Sequence, residues 1–174
     1  MKLSHHLLLL VLLATPCLAK SASTQKKEPT ALQKCEIRDA AEKTQVGILE
    51  EYITGGYTFS NITMNGKPLL ATTEFSSDTV ELLLRGGADP LATIITDEGT
   101  IFCIEKWAIC ALQATKKTKR NKKIEILIFM MSHLLRQEKH EAGTDEAVAK
   151  VRKLLKNHPK ILHQLPTASS HLST

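Results

Sequence analysis

The sequence predicts a mainly α-helical protein built from repeated helix pairs, and three observations indicate this fold class. Of the 174 residues, 43% are hydrophobic but only 4% are aromatic, which favours helices packed through aliphatic side chains over a β-sandwich. Two amphipathic segments, ILEEYITGG at 48–56 and TVELLLRGG at 79–87, align with one another and both end in paired glycines. The segment KIEILI at 123–128 shows the same apolar pattern a third time, so a repeated unit is indicated.

The N-terminal segment 1–19 predicts a secretory signal peptide. MKLSHHLLLLVLLATPCLA contains one early lysine and an apolar run, followed by Pro16 and the small residues Cys17 and Ala19, which suits cleavage before Lys20. The apolar run is too short to span a bilayer, which needs about 20 residues. The sequence therefore predicts a secreted or periplasmic protein.

Composition divides the rest of the chain into three parts. The segment KSASTQKKEPT is polar and ends in a Pro-Thr pair, which is typical of a disordered linker. The last residues, PTASSHLST, are typical of a flexible tail. The predicted division is a linker at 20–30, a repeat domain at 31–165 and a tail at 166–174.

The apolar spacing of the repeated segment explains why helix pairs would stack. Val80, Leu83 and Leu84 lie at i, i+3 and i+4, and this stripe cannot be buried by one isolated helix pair. The glycine pair at 86–87 is expected to stop the helix. Further along, 124–136 predicts a central core helix, and helical segments up to residue 165 are expected to cap the stack.

These features resemble the ankyrin repeat, a helix pair with an exposed excursion that recurs about every 33 residues. The stretches GGADP at 86–90 and GKPLLATTEF at 66–75 carry the resemblance. It implies a helical-hairpin solenoid of about three degenerate ankyrin-like repeats with C-terminal capping helices, since KPLL at 67–70 replaces the family's usual Thr-Pro-Leu-His. The alternatives are another helical-hairpin solenoid or an irregular helical bundle.

The ankyrin resemblance also implies where a partner would bind. In ankyrin-like proteins the segment after each glycine pair forms a hairpin finger, and finger tips usually contact a protein partner. Apolar residues beside polar ones on an exposed tip suit such a contact, although tips that pack on their neighbours are the alternative. The tips implied here are Asn61, Ile62, Thr63, Met64, Ile94, Ile95, Thr96 and Asp97. The function predicted is a non-enzymatic interaction with another protein.

A basic run at 116–123 provides a second hypothesis. Its sequence KKTKRNKK contains six cations: Lys116, Lys117, Lys119, Arg120, Lys122 and Lys123. Such a run can neutralise phosphates or an anionic membrane surface, but it lacks the aromatic residues that stack on nucleic-acid bases. We interpret the run as a solvated loop between two helices, with polyanion or membrane-surface binding as the alternative function.

Catalytic and metal-binding motifs are missing from the sequence. It contains no Cys-x-x-Cys, His-Glu-x-x-His, Gly-x-Ser-x-Gly or phosphate-binding Gly-x-x-x-x-Gly-Lys motif. We therefore expect no metal, no cofactor and no small-molecule substrate. Carboxylates paired in a cleft leave no sequence motif, so a hydrolase is the third alternative.

Two covalent modifications depend on the compartment. After signal-peptide removal the cysteines are Cys35, Cys103 and Cys110, so at most one internal disulfide can form. If Cys103 and Cys110 share a helix, their Cα atoms lie about 10 Å apart, which is too far for a disulfide, so any bridge would use Cys35. The alternative is that all three cysteines are small buried side chains without a disulfide. Asn61-Ile62-Thr63 is an N-glycosylation acceptor motif, which applies only in a eukaryotic source.

Overall fold

The computed structural model describes residues 26–72, 74–137 and 143–167. This part of the chain is mainly helical and contains two small antiparallel sheets. Its helices are α1 (Ala31–Glu42), α2 (Val46–Thr54), α3 (Ser77–Arg85), α4 (Cys103–Gln113), α5 (Lys117–Arg136), α6 (Thr144–Leu154) and α7 (Pro159–Leu162). Its strands are β1 (Thr63–Met64), β2 (Lys67–Pro68), β3 (Thr93–Thr96) and β4 (Gly99–Phe102). The predicted signal peptide lies outside the described residues, as do 20–25 of the linker and 168–174 of the tail.

The helices pack in two rows. In the first row α2 contacts α3, and α3 contacts α5. In the second row α4 contacts α6 and a short 3-10 turn at Leu69–Ala71. Helix α4 also packs along α5, which joins the rows. Both rows contribute fully buried side chains to one core, among them Leu49, Leu83, Trp107 and Leu127.

Side-chain caps begin two of the helices. The Thr30 hydroxyl accepts a hydrogen bond from the Gln33 amide at 3.3 Å, and the Gln33 side chain accepts one from the Thr30 amide at 2.9 Å. This reciprocal pair is a capping box at the start of α1. At the start of α3 the Ser76 hydroxyl accepts from the Thr79 amide at 3.2 Å. These bonds satisfy amide groups that a helix leaves without internal partners.

Both glycine pairs end helices, as the sequence predicts. Helix α2 ends before Gly55 and α3 ends before Gly86. In each pair the first glycine keeps a helical φ, whereas the second is left-handed, with φ of +81° at Gly56 and +90° at Gly87. The positive φ, which glycine adopts without steric cost, therefore lies at the second position.

Gly86 is required for a different reason, which the sequence did not indicate. The ring of Phe59 lies directly on its Cα, and an added Cβ would lie 2.6 Å from the ring Cγ and closer still to two other ring atoms. The Phe59 amide also donates to the Gly86 carbonyl at 2.8 Å. Because Phe59 is only 1% exposed, a hydrogen atom is the only side chain that leaves room for its ring.

The predicted helix pairs would require a helix just before α3, in the segment LLATTEF at 69–75, and this expectation is wrong. In its place the chain forms only the 3-10 turn Leu69–Ala71, after which Thr72 is extended. Side chains of α4 supply the hydrogen bonds that a helix would have made, because Trp107 Nε1 donates to the Leu70 carbonyl at 2.8 Å and Lys106 Nζ to the Ala71 carbonyl at 2.7 Å. With these carbonyls satisfied from outside, the turn needs no continuation as a helix.

The end of the predicted linker is ordered against the fold, so the expectation of disorder is wrong for residues 26–30. The Lys27 amide donates to the Gly56 carbonyl at 2.8 Å, and the Lys27 carbonyl accepts from the Thr58 amide at 2.9 Å. Pro29 is buried, and Thr30 caps α1. Backbone pairing with the segment after α2 therefore holds a polar sequence in place.

Lys150 of α6 contacts side chains of α4 and of the second hairpin. Lys150 Nζ lies 2.8 Å from a Glu146 carboxylate oxygen and 3.8 Å from one of Glu105, and 4.9 Å from the ring centroid of Phe102. Glu105 is buried and accepts a hydrogen bond from the Phe102 amide at 3.0 Å. The hydrogen bond with Glu146 is the main reason that the pKa of Lys150 is raised. The second hairpin, α4 and α6 thus meet at one ammonium group.

Candidate protein-binding surface

Two β-hairpins follow the glycine pairs. Strand β1 pairs with β2, and β3 pairs with β4, in both cases antiparallel. The first hairpin turns at Asn65–Gly66, where both residues have positive φ values of 52° and 73°. The second turns at Asp97–Glu98. Strand β2 also lies beside β3, so the two hairpins are neighbours.

The predicted tip residues are only partly at the tips, and two of them are wrong. Ile62 is 2% exposed and Ile94 is 5% exposed, so neither can meet a partner. Ile94 is buried because successive residues of β3 point to opposite faces, which turns Ile94 inward and Ile95 outward. Ile62 precedes β1 and belongs to the core. Ile95, at 83% exposure, is the most exposed of the large apolar residues in the described chain.

The other predicted tip residues occupy mixed positions. Asn61 is exposed in a turn, and its side chain donates to Glu28 at 3.1 Å; Thr63 is also exposed. Met64 is half-buried beside the first turn. Thr96 donates its hydroxyl proton to the Gly99 carbonyl at 2.8 Å, which closes the second turn, and Asp97 is exposed there. The exposed position of Asn61 is compatible with the glycosylation motif.

We define the hairpin surface as the exposed face around Ile95, together with a cavity at the base of the first hairpin. On the second hairpin, Ile95 lies opposite Thr100, and Thr93 is exposed on the same face of β3. The cavity has a volume of about 380 Å³. Its lining residues are Met64, Asn65, Lys67, Ala71, Thr72, Glu74 and Lys106. The surface therefore combines one protruding apolar side chain with a polar cavity whose lining contains positive and negative side chains.

Lys67, Thr93 and Thr100 belong to this surface but were missed by the sequence interpretation. The dipeptide Asn65-Gly66 could have located the first of them, because Asn-Gly is a strong signal for a tight hairpin turn. Placing the turn there makes Lys67 the first residue of the returning strand. Thr93 and Thr100 follow only from the strand register, which the sequence did not determine.

The basic run is helical, so its interpretation as a loop is wrong. Helix α5 begins at Lys117, and Lys116 is its N-cap residue. The run contains no glycine or proline, and lysine and arginine are good helix formers, so it extends the core helix toward its N-terminus. Lys123 Nζ lies 5.3 Å from the ring centroid of Trp107. Helical spacing divides the cations between two faces, with Lys117 and Arg120 on one and Lys119, Lys122 and Lys123 on the other.

A pocket of about 520 Å³ lies between α1 and α2, and its lining contains three carboxylates and one lysine. Its lining includes Glu36, Asp39, Glu51, Tyr52 and Tyr57. The Tyr52 hydroxyl donates a hydrogen bond to Glu36, and this bond raises the pKa of Tyr52 to about 12. Tyrosine is already protonated at neutral pH with its ordinary pKa of about 10, so Tyr52 serves as a hydrogen-bond donor to Glu36.

No protein-family model, curated protein or solved structure matches this chain.

The described residues contain no group of three histidine, cysteine or carboxylate side chains placed to hold a metal ion. Over 26–72, 74–137 and 143–167, no helix is both long enough and apolar enough to cross a bilayer. No disulfide joins Cys35, Cys103 and Cys110. Cys35 is exposed, which contradicts the expectation of three buried cysteines, whereas Cys103 is buried. Burial raises the pKa of Cys103 to about 12, so its thiol is a poor nucleophile at neutral pH.

Proposed function

We propose that this protein binds another protein through the hairpin surface and performs no catalysis. The exposure of Ile95 carries the proposal: a β-branched apolar side chain that is 83% exposed on a paired strand has nothing to bury within its own chain. Burying one such side chain at an interface contributes about 1.5–3 kcal/mol. Because both hairpins are already formed, little ordering entropy would oppose the association.

The proposed architecture behind this surface is an ankyrin-like array of about three degenerate units. Three features support it: helices that end at glycine pairs, a hairpin after each pair, and two rows of contacting helices. In this interpretation the 3-10 turn Leu69–Ala71 replaces the inner helix of the middle unit. Helices α6 and α7 would cap the end of the array, with Val151 and Ile161 facing the core.

Ile95→Asp is expected to weaken binding of the partner without unfolding the protein. A charged residue at the centre of the contact would be buried unpaired, so we expect at least a tenfold loss of affinity, on the scale of about 1.4 kcal/mol per factor of ten. Stability should fall by less than about 1 kcal/mol, since the side chain packs on little. Wild-type and variant proteins would be immobilised, and the proteins captured from their native compartment quantified by mass spectrometry.

The matched control is Leu32→Asp. Leu32 is another exposed apolar side chain, at 70%, but it lies in the first turn of α1 and not on a hairpin strand. A partner retained by Leu32→Asp and lost by Ile95→Asp would support the hairpin surface. Equal losses in both variants, or retention by both, would remove Ile95 from the interface. An Ile95→Asp protein that melts early would show instead that the hairpin depends on this side chain for packing.

We further propose that this binding takes place outside the cytoplasm, after removal of residues 1–19. The expected N-terminus of the exported protein is Lys20, because Pro16 and Ala19 end the apolar run in the way that signal-peptidase sites require. Sequencing the purified extracellular or periplasmic protein from its N-terminus tests this. A protein that retains Met1 would refute the signal-peptide interpretation.

A further inference from the structure

The charges of this protein are divided between the two halves of its chain. Residues 31–113 contain twelve acidic and six basic residues, a net charge of −6. Residues 114–167 contain thirteen basic and five acidic residues, a net charge of +8. Residues 1–30 add +3, and the resulting overall charge of +5 conceals this separation. The positive potential is therefore concentrated around α5, α6 and α7, where it favours anions.

A groove of about 600 Å³ lies within this basic half, between the start of α5 and the residues around α7. Its lining contains cationic, amide and apolar side chains and no carboxylate: Thr115, Lys117, Arg120, Asn121, Ile124, Asn157, His158, Pro159, Lys160, Ile161 and Gln164. Residues from two distant parts of the sequence thus meet around one concavity. We call it the basic groove.

Arg120 is held in position at this groove. Its Nε and Nη2 atoms both donate to the Ala114 carbonyl, at 3.1 Å and 2.9 Å, which fixes the plane of the guanidinium. A guanidinium has five N–H donors, and these bonds use two of them. Lys117 precedes Arg120 by three positions, so both side chains lie on one face of α5. Lys160 brings a third cation from α7.

The local electrostatics of α5 strengthen the attraction for an anion. Lys116 provides no side-chain cap, and the first turn of the helix contains no acidic residue. The positive end of the helix dipole therefore coincides with positive side chains, an arrangement that costs stability in the absence of a counter-charge. A bound anion would relieve this repulsion as well as pair with the cations.

We propose that the basic groove binds a phosphate ester. Lys117, Arg120 and Lys160 would surround the phosphate, since ammonium and guanidinium groups donate to its oxygens. The amide of Asn121 offers further donors toward the rest of the ligand, as does the second N–H of the Gln164 amide, whose first donates to the Lys160 carbonyl at 2.8 Å. Ile124 and Ile161 line the same groove and suit a ligand with a carbon body attached to the phosphate. A soluble phosphate ester and a lipid headgroup share this chemistry.

The test compares two double variants that lose the same charge. Lys117→Gln with Lys160→Gln removes two cations of the basic groove, whereas Lys119→Gln with Lys122→Gln removes two from the other face of α5. Titration calorimetry would measure the binding of inorganic pyrophosphate, which stands for the anionic head of a soluble ligand. Co-sedimentation would measure binding to phosphatidylcholine vesicles with and without phosphatidic acid, which presents a lipid phosphate monoester.

We expect the groove variant to bind at least about tenfold more weakly, because hydrogen bonds between charged groups are lost. The affinity of the matched variant for the probes should fall by no more than about twofold, because removing its two charges reduces only the general electrostatic attraction of the protein for anions. Binding of pyrophosphate alone would assign a soluble ligand, and binding of phosphatidic acid vesicles alone would assign a lipid. Equal losses in the two variants, or no binding of either probe by the wild type, would overturn the proposal. Ile95→Asp should bind both probes like the wild type, so this site is tested independently of the hairpin surface.

Discussion

Gly86→Ala is expected to destabilise the protein by about 1–3 kcal/mol, the usual cost of overpacking a filled core. The new methyl group would overlap the ring of Phe59, which is buried and has no space into which it can move. Either the ring or the backbone at the end of α3 must shift. Chemical denaturation followed by helical circular dichroism would measure the change in the free energy of unfolding.

The control for this substitution is Gly47→Ala in α2. A Cβ at Gly47 would meet no atom within 4 Å, and its φ is not positive. Alanine is the better helix former, so this variant should be more stable by about 0.4–1 kcal/mol. The same chemical change is thus expected to have opposite effects on stability at two glycines, neither of which has a positive φ. If Gly86→Ala were as stable as the wild type, the close packing of Phe59 on the backbone would be disproved.

Trp107→Ala is expected to have a larger effect, a loss of about 3–5 kcal/mol. Trp107 is completely buried, and its Nε1 donates to the Leu70 carbonyl at 2.8 Å. The substitution would leave a large cavity and also an unsatisfied buried carbonyl in the 3-10 turn. Since a typical domain is stable by only about 5–15 kcal/mol, much of the fold's stability would be lost. Urea denaturation monitored by circular dichroism is the appropriate measurement, because Trp107 is the only tryptophan.

Trp107→Phe separates the contribution of the buried ring from that of the hydrogen bond donated by Nε1. It keeps much of the apolar volume but removes the donor, so we expect a loss of about 1–3 kcal/mol from the unpaired carbonyl. Trp107→Ala should therefore be clearly less stable than Trp107→Phe. Two variants of equal stability would show that the ring contributes only through its hydrogen bond, and a small loss in both would contradict the packing of α4 on the 3-10 turn.

The sequence predicted the elements whose signals are local. The glycine pairs located the ends of α2 and α3, and the apolar spacing of 124–136 located the core of α5. The inner helix of the middle unit was predicted wrongly because its replacement by a 3-10 turn depends on Trp107 and Lys106, which lie far along the chain. Contacts of this kind leave no periodicity in the segment that they determine.

In the candidate sites too, features that depend on the local sequence were predicted, whereas features that depend on contacts between distant segments were not. Ile95 was found because an apolar residue in a predicted excursion is visible in the sequence, but Ile62 and Ile94 were included with it because strand register was unknown. The basic run was recognised as a charge cluster. Its division into two helix faces, and the contribution of Lys160 to the groove, required the packing of α5 against the C-terminal residues.

The row-wise packing of the helices also has a consequence for how the protein folds and opens. The contacting pairs α1–α2 and α2–α3 are neighbours along the chain, whereas the pairs α3–α5 and α4–α6 are each separated by another helix. The neighbouring pairs are expected to form before the separated ones, because a non-local contact must first close a loop. Helix α1 and the four-residue α7 lie toward the two ends of the described chain, so transient opening should start at α1 or α7. The second hairpin lies between these ends, and its presentation of Ile95 would therefore survive the fraying of either terminus.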